Sequence, residues 1–65
     1  MKYSELTRRL RRLGIVLLDQ GKRHEMWGRP GGQPVTPISR HQSEEVPIGT
    51  LNRILKDLGV SRDEL

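Results

Sequence analysis

Residues 14–28, with the sequence GIVLLDQGKRHEMWG, contain the pattern that decides the fold. The apolar run over residues 15–18 is typical of a buried central strand, and the Asp-Gln-Gly sequence at residues 19–21 indicates a turn. We therefore predict one strand over residues 15–19 and a second over residues 24–28. Because a short turn joins them, the two strands are expected to pair antiparallel.

The sequence that follows predicts a third strand. Residues 28–34, GRPGGQP, are rich in the residue types that form turns. Residues 35–39 then favour a strand, in which Pro37 is typical of a sheet edge because proline cannot donate a backbone hydrogen bond. The three short strands are expected to form one antiparallel sheet.

Two amphipathic helices flank the predicted sheet. Three leucines at the i, i+4, i+7 spacing predict a helix over residues 4–13, with Ser4 as its N-cap and Gly14 just after its end. Apolar residues at helical spacing likewise predict a helix over residues 48–58, which Gly59 would end.

These elements describe a two-layer α+β fold: helix, three-stranded antiparallel sheet, helix. Both helices would cover one face of the sheet and leave the other face partly open. A chain of 65 residues buries only about 60% of its unfolded surface. We therefore expect a single domain over residues 1–65 with no large enclosed pocket.

The composition excludes several functional classes. The chain has no cysteine, so a disulfide framework and a thiol nucleophile are excluded. Without cysteine the chain lacks the disulfides of small secreted domains, so we expect a cytoplasmic protein. Its longest apolar run is far shorter than the roughly 20 residues that span a bilayer, so we predict no membrane segment. His24 and His41 lack the converging ligands that a metal site needs, and no Gly-rich phosphate loop opens a helix. We predict neither a metal nor a cofactor.

The basic charge lies in the N-terminal half of the chain. Residues 1–32 carry a net charge of +5, and residues 33–65 carry −1. On the first predicted helix, Arg8, Arg11 and Arg12 project opposite the leucines. They form either an ordinary solvated face or a surface for a polyanion such as RNA, and charge alone leaves both interpretations open.

His24 is the candidate catalytic residue. Histidine exchanges protons near neutral pH, and the adjacent Lys22 and Arg23 can hold a phosphate group. In RNA, removal of the 2′-hydroxyl proton lets that oxygen attack the adjacent phosphorus, while cations stabilise the charge that develops on the phosphoryl oxygens. The alternative is an ordinary surface histidine. Trp27 is expected to pack in the core and not to stack on bases.

Two segments resemble the signatures of HicA-type mRNA interferase toxins: GKRHEMW at residues 21–27 and PIGTLNRILKDLG at residues 47–59. The first predicted helix and the sequence ISRH at residues 38–41 fit the same family, so the resemblance covers essentially the whole chain. It implies a double-stranded-RNA-binding-like fold, metal-independent cleavage of mRNA, and neutralisation by a HicB-type antitoxin.

The resemblance also implies that His24 is the functional histidine. In the family this histidine follows a Gly-Ser pair, where this chain has Lys22 and Arg23. The two cations either strengthen phosphate binding or tilt the imidazole out of line. We therefore predict an mRNA interferase with His24 as the general base, and the alternative is a noncatalytic RNA-binding module of the same fold. A third possibility is a protein-interaction module that does not bind nucleic acid. His41 is expected to be a turn or surface residue, and the alternative is that it acts as a general acid.

Specific roles follow for the basic residues in that prediction. Lys22 and Arg23 would hold the scissile phosphate, and the arginines of the first helix would contact the RNA backbone. The predicted partners are mRNA and the antitoxin.

Overall fold

The computed structural model describes all 65 residues as a helix, a three-stranded antiparallel sheet and a second helix. The elements are α1 (Tyr3–Arg12), β1 (Val16–Gln20), β2 (His24–Gly28), β3 (Val35–Ser39) and α2 (Ile48–Leu58). The predicted α+β fold class is confirmed. The helix α1 starts and ends one residue before the predicted range, and β1 starts and ends one residue after it.

The position of β1 in the sheet differs from the prediction. The strand order is β1-β2-β3, so β2 is the central strand and β1 lies at an edge. The prediction of a buried central strand over residues 15–19 was wrong, because a short apolar run determines neither the order of strands in a sheet nor how deeply each strand is buried. Only Ile15, just before β1, is fully buried, whereas Leu18 is 38% exposed. The register of β1 on β2 shifts between Leu17 and Asp19.

The N-terminus of α1 is capped by backbone groups and not by Ser4. The N-cap residue is Lys2, which makes no side-chain capping hydrogen bond. The N–H groups of Tyr3 and Ser4 donate to the carbonyls of Glu44 and Gln42, each at 3.0 Å. The predicted Ser4 cap was wrong because carbonyls from a distant loop satisfy these donors, which every helix N-terminus leaves unpaired.

Glycine ends both helices, as predicted. Gly14 has a φ of 84°, a region that other residues adopt at a cost. Its N–H donates to the carbonyl of Arg11, and the N–H of Ile15 donates to the carbonyl of Leu10, both at 3.0 Å. This pair of bonds is the Schellman motif, and the same pattern ends α2 at Gly59, where φ is 68°.

Both helices pack on the same face of the sheet. Trp27 and Thr36 are directly paired across β2 and β3 and are both buried, so their face is the covered one. Thr36 donates to Asp57 on α2 at 3.0 Å, which holds that helix on β3. The core consists of twelve buried apolar residues: Tyr3, Leu6, Leu10, Ile15, Trp27, Ile38, Val46, Leu51, Ile54, Leu55, Leu58 and Val60.

The helices are short, and none of them is long and apolar enough to cross a membrane.

Candidate active site

His24 is the first residue of β2 and is exposed to solvent. Successive side chains of a strand point to opposite faces of the sheet. Trp27 is buried on the helix-covered face, so His24, three residues away, belongs to the open face. Ser39, at the end of β3, is its direct partner across the sheet. The backbone at His24 is thus held in place by its antiparallel pairing with β3.

A tight turn connects β1 to His24. The N–H of Gly21 donates to the carbonyl of His24 at 2.8 Å. A β-carbon at position 21 would lie 2.8 Å from that same carbonyl oxygen, closer than such atoms come, so the turn needs glycine. Lys22 and Arg23 occupy the two intervening positions and are both exposed. The turn therefore displays two cations directly before His24 in the chain.

Arg40 is a basic residue at this end of the sheet that the sequence analysis did not select. Its Nη2 group donates a hydrogen bond to the carbonyl of Gly21, and this bond joins the end of β3 to the β1–β2 turn. The signal was present in the sequence, since antiparallel pairing of residues 24–28 with residues 35–39 brings position 40 beside the turn. The next residue, His41, is exposed, and its N–H donates to Ser39 Oγ at 3.1 Å.

Three arginines of α1 contact other side chains of the protein, which their helical positions did not predict. Arg8 and Arg9 both pair with Glu5, with Nη2–carboxylate distances of 2.7 and 2.8 Å. The hydrogen bond from Arg9, followed by the charge of Arg8, lowers the pKa of Glu5. The guanidinium carbon of Arg11 lies 4.9 Å from the centre of the Trp27 ring. Arg11 therefore covers part of the core instead of projecting away from it.

The structure does not bring the last turn of α1 next to His24. The start of α1 bonds to the loop that follows β3, at the His24 end of the sheet. The end of α1 lies at the opposite end, where Arg29, just after β2, donates to the carbonyl of Leu13 at 3.5 Å. Arg12 and His24 thus lie at opposite ends of the fold. A polynucleotide can reach both, but a single phosphate group cannot.

Trp27 packs as a core residue, as predicted. It is 1% exposed, and its Nε1–H donates to Glu25 Oε1 at 3.1 Å. No group of three or more His, Asp or Glu side chains is arranged to hold a metal ion. The chemical groups gathered at the His24 end are therefore an exposed imidazole and the cations of Lys22, Arg23 and Arg40.

Comparison with known proteins identifies the family. A family model described as the HicA toxin of bacterial toxin–antitoxin systems matches residues 3–60 of the 65-residue chain. No curated protein has a significant sequence match to the chain. The matched range includes both helices and all three strands, and it confirms the resemblance that the sequence segments indicate. The chain therefore belongs to the HicA family of toxins from bacterial toxin–antitoxin systems.

Proposed function

We propose that the protein is an mRNA interferase, an endoribonuclease that cleaves mRNA without a metal ion, and that His24 is its general base. The observation that carries this proposal is the exposed His24, held at the start of β2 by the Gly21 bond and the Ser39 pairing, directly after two exposed cations. Membership of a toxin family supports this proposal, because cleavage of mRNA would harm the cell. Because the proposed substrate is mRNA, the protein would act in the cytoplasm.

The proposed reaction uses the nucleophile that RNA itself contains. His24 removes the proton of a ribose 2′-hydroxyl, whose oxygen attacks the adjacent phosphorus. The bond from phosphorus to the 5′-oxygen breaks, and water supplies a proton to that leaving oxygen. The hydroxide that remains takes the proton back from His24, which restores the neutral imidazole. The products are a 2′,3′-cyclic phosphate and a 5′-hydroxyl. Lys22 and Arg23 stabilise the charge that develops on the phosphoryl oxygens.

The arginines of α1 serve a different part of the substrate in this proposal. Arg8, Arg11 and Arg12 contact phosphates of the RNA backbone away from the scissile bond, since α1 runs to the far end of the sheet. Arg12 contributes most among them, because Glu5 offsets the charge of Arg8 and Arg11 lies on Trp27. Such contacts make the affinity for RNA fall as the salt concentration rises.

The proposed partner is a HicB-type antitoxin that covers His24. The family match implies an antitoxin partner, and the exposed, basic His24 end of the sheet suits an acidic surface. A bound antitoxin would then exclude RNA by occupying the same surface. Antitoxin that bound tightly while RNA cleavage continued would contradict this part of the proposal.

The experiment that tests catalysis replaces His24. Purified wild-type protein is incubated with RNA in EDTA beside the His24→Gln variant, and cleavage is followed on a gel. We expect the variant to lose at least about 100-fold in rate, the lower end of what general-base catalysis contributes. His41→Gln is the matched control, because it changes the other exposed histidine at the same end of the sheet.

The cleavage assay, together with a measurement of RNA binding at several salt concentrations, assigns the protein to one class. Cleavage in EDTA that depends on His24 and not on His41 supports the nuclease. RNA that is retained but never cleaved supports the noncatalytic RNA-binding module, and no salt-dependent affinity for RNA supports a protein-interaction module. Equal cleavage by His24→Gln and the wild type would remove His24 from the mechanism.

A further inference from the structure

The basic residues of the chain differ in what offsets their charge. Arg8 and Arg9 share the carboxylate of Glu5, and their attraction for a phosphate is reduced accordingly. Arg40 makes no ion pair and instead donates to the uncharged carbonyl of Gly21. A carbonyl partner orients the guanidinium group without cancelling its charge.

Arg40 also lies at the same end of the sheet as His24, beside the turn that precedes it. It follows Ser39, the direct partner of His24 across the sheet. Its bond to Gly21 places the guanidinium against the turn that displays Lys22 and Arg23. A guanidinium carries five N–H donors in a planar fork, so the bond to Gly21 leaves donors that can bind a phosphate oxygen.

We propose that Arg40 is a third phosphate-binding residue, which acts together with Lys22 and Arg23. This inference rests on the proposed function in that the ligand is RNA, but it requires binding only and not cleavage. Together with Lys22 and Arg23, Arg40 would form a group of three phosphate-binding residues at the His24 end of the sheet, apart from the arginines of α1.

The test measures how the affinity for RNA depends on salt. The probe is a fluorescein-labelled single-stranded RNA oligonucleotide, titrated with the His24→Ala variant so that the RNA stays intact. Each phosphate contact contributes about 0.7 to the slope of log affinity against log salt for a single strand. We expect Arg40→Gln on this background to lower that slope by about 0.7, and Arg40→Lys, which keeps the charge, to retain it.

Arg62→Gln is the matched control, because Arg62 also donates to an uncharged oxygen, that of the Asn52 side chain. Arg62 belongs to the C-terminal turn, which lies near Arg29 and away from His24. The position of this turn follows from Glu64, whose pKa is lowered by its hydrogen bonds with Ser61 and also by the charge of Arg29, which must therefore be close. The control should leave the salt slope unchanged.

The outcomes separate this inference from the catalytic proposal. The role of Arg40 is overturned if Arg40→Gln leaves the salt slope unchanged, or if Arg62→Gln lowers the slope by the same amount. It is also overturned if the His24→Ala parent does not bind RNA. Cleavage by protein with an intact His24 is measured separately. An Arg40-dependent slope without any cleavage supports Arg40 and removes the catalytic role of His24. Emission from Trp27 verifies that each variant is folded.

Discussion

The guanidinium carbon of Arg11 lies 4.9 Å from the centre of the Trp27 ring. This distance is within the range of a cation–π contact. Arg11 belongs to the last turn of α1 and Trp27 to the central strand, so the contact joins the exposed side of the helix to the sheet. It contributes to the burial of the single tryptophan of the chain.

Replacement of Arg11 by alanine should therefore alter the surroundings of Trp27. We expect the Trp27 emission to shift to longer wavelength as water reaches the ring, and the free energy of unfolding to fall by about 0.5–1 kcal/mol. Fluorescence and urea denaturation measure the two effects. Arg12→Ala is the control, since it removes an arginine from the next position without uncovering the ring. Identical emission spectra for both variants would contradict the contact.

Gly28 should not tolerate a side chain, although its backbone is not in the left-handed region. A β-carbon there would collide with the carbonyl oxygen of Pro34 and lie 3.0 Å from side-chain atoms of Leu18 and Val35. We expect Gly28→Ala to lower the free energy of unfolding by about 1–3 kcal/mol, the usual cost of overpacking. Urea denaturation followed by circular dichroism measures it.

Gly49→Ala is the matched control for Gly28. No heavy atom lies within 4 Å of a β-carbon built at Gly49, which is in the first turn of α2. Alanine should stabilise the protein by up to about 0.5–1 kcal/mol, because it restricts the unfolded chain more than glycine does. Equal effects of the two substitutions would show that the packing around Gly28 is not tight.

The element boundaries were predictable because local chemistry determines them. Gly14 and Gly59 end their helices at positive φ, where glycine has little competition from other residues. Likewise, the Gly- and Pro-rich sequence after Gly28 separates β2 from β3. Each of these signals lies within a few residues of the boundary that it sets.

The parts that were missed depend on contacts between distant residues. The start of α1 is capped by the carbonyls of Glu44 and Gln42, which no pattern around Ser4 reveals. Sheet order likewise does not follow from the apolar run over residues 15–18. Arg40 enters the candidate site only once β3 is paired with β2. His24, Lys22 and Arg23 were accessible to sequence analysis because they are consecutive.

Glu5 should make the protein sensitive to acid. Its pKa is lowered by the hydrogen bond from Arg9 and by the charge of Arg8, so the ionised carboxylate is favoured in the folded state. The resulting stabilisation is present above the ordinary value of 4.5 and is lost as the pH falls below it through the lowered native pKa. Thermal unfolding between about pH 6 and pH 2 should show this loss.

The Glu5→Gln variant identifies the source of that acid sensitivity. Its melting temperature should fall less steeply than that of the wild type as the pH drops below 4.5. Glu44→Gln is the control, since the Glu44 side chain makes no ion pair or hydrogen bond, and its profile should run parallel to the wild type. A Glu5→Gln profile as steep as the wild type would show that the pairing with Arg8 and Arg9 contributes nothing.

Thr36 should contribute to stability through its hydroxyl group. This fully buried hydroxyl donates to Asp57 at 3.0 Å and accepts from Arg53 at 2.9 Å. We expect Thr36→Val to lower the free energy of unfolding by about 1–3 kcal/mol, because it leaves the facing polar groups with fewer partners. In the control Thr7→Val, the lost hydroxyl bonds only to carbonyls of its own helix, at 3.1 and 3.3 Å. A control as destabilised as Thr36→Val would contradict the bridging role.

The chemistry proposed for His24 makes a prediction about the products and about modified substrates. If the 2′-hydroxyl is the nucleophile, a 2′-deoxy sugar on the 5′ side of the cleaved bond removes it, and cleavage at that bond should stop. The same substitution in the nucleotide on the 3′ side of the cleaved bond should leave cleavage intact and serves as the control. Mass spectrometry of the normal products should find a 2′,3′-cyclic phosphate on one fragment and a 5′-hydroxyl on the other. A 5′-phosphate would instead require an external water as the nucleophile, a reaction in which His24 could not act as proposed.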